Sequence, residues 1–370
     1  MAVQDSKPRL LSIIDSPYLP FHIAGSEVST DTTMSLLGKH GRVAVACGFP
    51  DNGSKAFSIR ARAKLAPSGV CRGRLNGYEI FRAWDYQKAA NFAIRRLKPD
   101  ALLFQYGRYD KFYNKVETRD IPVLVFLRMT NYKTYGMDAE LISKAKNWRY
   151  FAVSDFVSQR FQDDFGIRPA VSGPLIRPEK VAVGSTGSKV LVVTTHAQKG
   201  GKHAAAVIES LSHLPFLVIA GRGKESSITQ RLKALPNVEF ITRLTDMREA
   251  YSKARLLLLC TGTGTGLKDP DPIYEAAGRV VTEAQISGIP CIVPRESGAL
   301  ERINGGGVGV SVHAPVSEWA GAVSSLMCDE KLWQKMSGAA RLSSAKAENH
   351  HEHVFAQLLT SINTLISARS

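Results

Sequence analysis

Tyr274-Glu275-Ala276-Ala277-Gly278-Arg279-Val280-Val281-Thr282-Glu283-Ala284, continued by Gln285-Ile286-Ser287-Gly288-Ile289-Pro290-Cys291-Ile292-Val293, reads as a loop, a helix and a strand in succession. The helix is expected over 279–287 and the short apolar strand over 291–293, with Gly288 and Pro290 as breakers between them. Two carboxylates, Glu275 and Glu283, flank seven residues across the loop-to-helix junction. A helix starting near Gly278 turns unpaired backbone N–H groups and its positive dipole end toward an anion. Glu275 lies on the loop just outside, and Glu283 within the first turns. A carboxylate accepts two hydroxyl hydrogen bonds well, so the pair suits ribose hydroxyls and sugar hydroxyls. The same charges also fit an ordinary acidic helix start held by the macrodipole. Spacing alone leaves both readings open.

Outward from this run, strand and helix patterns alternate, the sign of parallel sheets with crossover helices. Toward the amino terminus, strands are expected at 10–14, 43–47, 101–105, 123–127 and 151–153. Helices fall at 26–39, 86–97 and 138–147, and another begins at Ser154. Gly173-Pro174-Leu175-Ile176-Arg177-Pro178 and the Gly/Ser-rich residues near Gly184 read as an interdomain linker. Beyond it, strands at 190–194, 216–220, 238–241, 256–260, 291–293 and 308–312 alternate with helices at 204–211, 228–235, 246–252 and 279–287. The pattern predicts an α/β protein of two doubly wound, Rossmann-like domains facing across a cleft, the default ligand position in open α/β sheets. The expected boundaries are 1–176 for the first domain and 177–350 for the second. A helix at 351–370 is expected to pack back on the first domain.

The chain has 370 residues, with 48 Lys and Arg against 33 Asp and Glu, for a net charge of +15. That length suits two domains of ordinary size. No apolar run reaches the roughly 20 residues that span a bilayer. The first ten residues lack the apolar core of a secretory signal, so a cytoplasmic location is expected. Cys47, Cys71, Cys260, Cys291 and Cys328 are odd in number and lack CxxC spacing, which speaks for reduced thiols and against a disulfide or zinc framework. Most of the positive excess precedes residue 180, and Lys55, Arg60, Arg62, Lys64, Arg72, Arg74 and Arg82 form a dense stretch. This stretch, from Lys55 to Arg82, suits either a solvated face on a mobile loop or peripheral contact with an anionic membrane, at its inner face. Nucleic acid is disfavoured, since no recognition motif accompanies the charge.

The run 275–283 resembles the E-x7-E signature of retaining GT-B glycosyltransferases of family 4, the glycosyl transferases group 1. Ser287-Gly288-Ile289-Pro290 followed by a strand matches that family's continuation, and Ser297-Gly298-Ala299-Leu300-Glu301 resembles its Gly-Gly-x-x-Glu loop. The resemblance implies that Glu283 binds the nucleotide ribose and Glu275 the donor sugar. Amides near Gly278, Ser297 and Gly298 would hold the diphosphate. Ala277 departs from the aromatic residue usual at its position. Ala24-Gly25-Ser26-Glu27 resembles the Gly-Gly-x-Glu loop of the first domain, placing Gly25 and Ser26 at the donor. Ser154-Asp155-Phe156-Val157 resembles the step before the linker, and Ser154 is equally a good N-cap.

Lys199 fits the family's phosphate-binding lysine, whereas the usual arginine before it falls at Thr194 or Thr195; Lys202, Arg222 and Arg295 are candidate substitutes. Arg243 and Leu244 match the segment that meets the base. His22 and Asp15 are candidates for acid–base work beside the first loop. Arg128 stands where the family often has histidine; it is no base at neutral pH but suits a phosphate or an anionic acceptor. Thr261-Gly262-Thr263-Gly264-Thr265-Gly266 lacks a Walker lysine and reads as a cleft loop. Asp269-Pro270-Asp271 mimics a metal-binding DxD, but proline interrupts it; no metal is expected. The resemblance implies a hexosyltransferase-type enzyme that needs no metal or other cofactor and uses a nucleotide diphosphosugar as donor. The acceptor stays open among glycan, lipid-linked and small-molecule compounds. A nucleotide-sugar epimerase and a degenerate nucleotide-sugar-binding protein are the alternatives.

Overall fold

The computed structural model describes residues 7–49, 54–184, 187–193, 195–220, 226–242, 244, 246–263 and 273–367. In the first half, β1 (Arg9–Pro17), α1 (Gly25–Leu37), β2 (Arg42–Gly48), α2 (Ser54–Leu65), β3 (Cys71–Leu75), β4 (Tyr78–Ala83), α3 (Tyr86–Leu97) and β5 (Ala101–Tyr106) follow one another. They are continued by α4 (Tyr109–Lys115), β6 (Val123–Leu127), α5 (Ala139–Lys144), β7 (Trp148–Ala152), α6 (Asp155–Phe165) and β8 (Ala170–Val171). The described strands form one sheet in the order β3-β4-β2-β1-β5-β6-β7-β8. Only the β3–β4 hairpin at its edge is antiparallel. Helices cover both faces, so β5 and β6 are buried almost throughout and read as unbroken apolar runs.

The second half runs β9 (Lys189–Val193), α7 (Gly201–Ser210), β10 (Phe216–Ile219), α8 (Ser227–Lys233), β11 (Val238–Ile241), α9 (Arg248–Lys253) and β12 (Ala254–Leu258). After these come α10 (Arg279–Ile286), β13 (Cys291–Pro294), α11 (Leu300–Ile303), β14 (Gly307–Val310), α12 (Val316–Cys328) and α13 (Glu330–Ser367). Its described strands are all parallel, in the order β11-β10-β9-β12-β13-β14. Strand order reverses around β1 in one sheet and β9 in the other. The carboxyl ends of both strands open toward a common cleft, as doubly wound sheets require. The fold is the expected pair of Rossmann-like units.

The carboxyl-terminal helix begins earlier than the sequence suggested. One continuous α13 starts at Glu330 and ends at Ser367. Val354, Leu358, Ile362 and Leu365 recur at helical spacing and are buried with Leu10, Ile14, Val43 and Leu103 of the first sheet. One helix therefore leaves the second unit and seals a face of the first.

The basic stretch is not the mobile loop of one reading. It folds as α2 and the β3–β4 hairpin, which caps the sheet edge. Arg82 is buried, donates to the Leu19 carbonyl at 2.6 Å and stacks on Phe21, so it anchors the loop carrying His22. Arg62, Lys64, Arg72 and Arg74 stay exposed. Cys47, Cys71, Cys260 and Cys291 are buried free thiols and Cys328 is exposed. Among the described residues no helix is long and apolar enough to cross a membrane.

Candidate functional site

A cleft of about 630 Å³ opens between the two sheets. Its first wall is the loop after β1, the start of α1 and the ends of β5 and β6; its second wall is Lys199 and residues 273–279. Asp15, His22, Gly25, Ser26, Arg128, Lys199, Glu275 and Gly278 all line it, so most of the sequence candidates converge on one place.

The loop holding Glu275 is shaped by glycine. Gly278 has φ +64°, and a Cβ there would lie 2.8 Å from the Ala299 Cβ, so only glycine fits. Its amide donates to Glu275 Oε1 at 3.3 Å, while Lys199 Nζ approaches Oε2 at 3.3 Å. Burial opposes the charge of Glu275, but Lys199, the Thr261 hydroxyl and the Gly278 amide outweigh it and hold the carboxyl below its ordinary value. Glu275 thus combines both sequence readings, for it closes a helix start and faces the cleft.

Glu283 lies differently. It is buried, with Tyr251 donating to Oε2 at 2.7 Å and Arg279 Nε pairing with Oε1 at 2.7 Å. The Tyr251 hydroxyl is pushed well above its usual pKa, first by burial and then by this carboxylate. Glu283 is not on the cleft wall. Arg279 was part of the quoted run without a role, yet it lines the cleft and also donates to the Leu175 carbonyl at 3.2 Å. Its i,i+4 spacing to Glu283 was the available signal. No local pattern pointed to Tyr251.

On the opposite wall Glu27 is 2% exposed and accepts from Ser16 Oγ and Ser26 Oγ, each at 2.9 Å, with His22 Nε2 3.9 Å away. The motif contained Glu27, but its role as the hub of these groups emerges only from the fold. Asp15 accepts from the Arg108 amide at 3.4 Å, and burial raises its carboxyl pKa. Gly107 makes room for it, since a Cβ there would sit 2.2 Å from the Asp15 Cβ. Arg128 donates to Gln105 Oε1 at 3.2 and 2.6 Å and to Ser29 Oγ at 3.0 Å. Burial, reinforced by the charge of Arg279, pulls the Arg128 pKa down to about 10.

Ser297 and Gly298 stand behind the Glu275 loop and not on the cleft wall. Gly298 donates to the Glu275 carbonyl at 2.9 Å, and Ser297 Oγ donates to the Pro294 carbonyl. Ser154, whose hydroxyl donates to the Ala276 carbonyl at 2.5 Å, joins this loop to the first unit. Glu301 completes that joint by accepting from the Asp155 and Phe156 amides at 3.1 and 2.7 Å, which caps α6 from the other domain. The Leu244 side chain packs against the second core. Arg243, Thr194, Arg222, the 269–271 motif and the end of the Gly-rich run (264–266) lie outside the described residues.

Residues 180–343 match the family model described as glycosyl transferases group 1. Across nearly the whole chain the structure is similar to that of Anabaena HepE in complex with UDP and glucose, with a TM-score of 0.68 and 13% identity over 96% of this chain and 100% of that one. A glycosyltransferase from Rickettsia africae gives a TM-score of 0.63 and 14% identity, covering 97% of this chain and 99% of that chain. WaaG, described as a glycosyltransferase involved in lipopolysaccharide biosynthesis, gives 0.61 and 15%, covering 90% and 95%. The fold is GT-B. No curated protein gives a significant match. In GT-B terms, the second domain brings Lys199 and Glu275 to the cleft, and the first domain brings Gly25, Ser26, Glu27 and Arg128.

Proposed function

We propose that this protein is a retaining glycosyltransferase that moves a hexose from a nucleoside diphosphate sugar to an acceptor bound between the two domains, without a metal. The observation that carries this reading is the convergence, in one interdomain cleft, of the Gly25 loop, the ionised Glu275 and Lys199. The group 1 match and the GT-B likeness support it. Glu275 would accept sugar hydroxyls, while Lys199 and the starts of α1 and α10 would stabilise charge on the diphosphate. The bond from the sugar anomeric carbon to the β-phosphate oxygen breaks, and a bond to the acceptor oxygen forms on the same face. The acceptor proton then passes to the leaving diphosphate. No cofactor is required beyond the donor substrate. Domain closure would exclude water and so limit donor hydrolysis.

The test is turnover. UDP-, GDP- and ADP-sugars are incubated with and without a panel of glycan, lipid-linked and small-molecule acceptors, and nucleoside diphosphate release is followed. Release that needs an acceptor and falls sharply in Glu275→Gln supports transfer. Conversion of the donor sugar without any acceptor supports the epimerase reading instead. The engagement of both Glu283 oxygens by Tyr251 and Arg279 favours, as a second reading, a protein that binds the donor without turnover. Donor binding by calorimetry with no product under any condition would establish that reading.

We also propose peripheral docking on an anionic membrane, at the cytoplasmic face, through α2 and its surroundings. Phe57 and Leu65 are 74% and 85% exposed, Trp84 is 62% exposed, and Arg60 stacks over Trp84 at 5.0 Å. Exposed Arg62 and Lys64 flank them, the mixture of apolar and basic groups that an interfacial helix needs.

A further inference from the structure

Two guanidinium groups reach one cleft from opposite domains. Arg128 extends from the end of β6 and Arg279 from the first turn of α10, and both line the space beside Gly25. The Arg279 Cδ lies 4.0 Å from where a Gly25 Cβ would stand. Arg128 has five N–H donors. Three are used, all on the neutral acceptors Gln105 and Ser29, so two have no partner among the described residues. Arg279 uses Nε on Glu283 and Nη1 on the Leu175 carbonyl, which leaves its Nη2 amino group without a partner among the described residues.

The nearby anions do not absorb these donors. Both Glu27 oxygens accept from serines, and Glu275 answers Lys199 and the Gly278 amide. Two like charges facing one partly buried space repel, and an anion placed between them would relieve the repulsion while taking up fork-shaped donors that match carboxylate and phosphate oxygens.

We propose that the cleft receives, between Arg128 and Arg279, an anionic substituent of the substrate distinct from the donor diphosphate: a carboxylate or a phosphate carried by the transferred sugar or by the acceptor. The inference rests on the nucleotide-sugar reading above for its substrate, but not for its geometry. Arg128 acts on specificity, selecting the charged substrate over its neutral analogue, and Arg279 shares the anion while anchoring Glu283.

Calorimetry on the intact protein separates the sources. On the donor side, UDP-glucuronate is compared with UDP-glucose. On the acceptor side, glucose 6-phosphate and glucuronate are compared with glucose, each with and without saturating UDP. The wild type is expected to prefer the anionic member of at least one pair by about tenfold or more, the scale of a charged hydrogen bond. Arg128→Gln should collapse that ratio toward one, and Arg128→Lys should retain part of it. A thermal melt of each variant checks folding. If no pair shows a preference, or if Arg128→Gln weakens both members equally, the proposal is overturned, the latter result assigning Arg128 to the diphosphate. Failure of UDP itself to bind would instead sink the nucleotide-sugar reading. The acceptor pairs measured without UDP would then still decide this one.

Discussion

The two ends of the segment 275–283 carry the same side chain in opposite circumstances. Glu275 lines the cleft with a partly exposed lysine against it, whereas Glu283, eight residues further on, is sealed between Tyr251 and Arg279. A carboxylate kept ionised by a movable lysine can exchange that partner for substrate hydroxyls. A carboxylate whose two oxygens are taken by buried groups holds the helix to its neighbours. The spacing that makes the pair conspicuous therefore says nothing of how the two differ; the side chains of α9 and α10 decide it.

That contrast is broken most severely at Glu283. Glu283→Ala would leave the Arg279 guanidinium and the Tyr251 hydroxyl without their shared acceptor, and removal of one partner from a buried pair costs about 3–5 kcal/mol. Urea unfolding followed by circular dichroism should show a loss of that size. A loss below about 1 kcal/mol would mean that Glu283 is not a structural anchor, and would return it to the ribose role implied by the family resemblance. Tyr251→Phe sharpens the point, since it frees one carboxylate oxygen without removing the charge. If Glu283 meets the ribose in the bound state, this variant should bind UDP at least as tightly as the wild type.

Glu275 should behave in the reverse way. Glu275→Gln keeps an acceptor for the Gly278 amide but loses the charge facing Lys199, so stability should change little. Turnover of the donor should fall about a hundredfold or more, the scale on which a single preorganised electrostatic contact acts. Retained turnover, or a fall confined to KM, would assign Glu275 to the helix start alone.

Gly278 tests the loop that separates the two carboxylates. Gly278→Ala must adopt a left-handed backbone with its new methyl 2.8 Å from the Ala299 Cβ. A cost of about 1–3 kcal/mol is expected from the strain, measured as a lowered denaturation midpoint, with a shift of Glu275 reducing donor affinity as well. An unchanged midpoint would show that the loop relaxes freely.

Much of this was legible in advance, and for identifiable reasons. β1, β5, β6 and β9 are buried on both faces, so each reads as an apolar run bounded by turns, and the run order alone gives two doubly wound units. The convergence of Gly25, Lys199 and Glu275 followed from the rule that loops at strand carboxyl ends meet at the reversal of strand order. The edge hairpin β3–β4 escaped because Arg72, Gly73 and Arg74 present an edge strand to solvent, where no apolar alternation is needed. The interdomain joint escaped as well. Ser154 bonding the Ala276 carbonyl and Glu301 capping α6 are long-range pairings that no local pattern encodes. Tyr251 shares that difficulty, whereas Arg279 stands four residues before Glu283 on the same helix. The meaning of Tyr251 lies in Glu283, which packing alone brings to it.

The gentlest probe of the comparison is pH. The folded-state pKa of Glu275 lies below its ordinary value, so its ionised form stabilises the fold above the ordinary carboxyl range, and that contribution is lost as pH falls through the folded value. Burial works against the charge, and Lys199 is the largest influence that offsets it. Lys199→Met removes that influence and leaves the burial in place, so the Glu275 carboxyl should titrate at higher pH. If transfer requires ionised Glu275, the acid limb of kcat/KM against pH should move upward in Lys199→Met, while the alkaline limb stays where it was. An unmoved acid limb would mean that Lys199 does not govern the ionisation of Glu275 in the free protein, whose groups this profile reports.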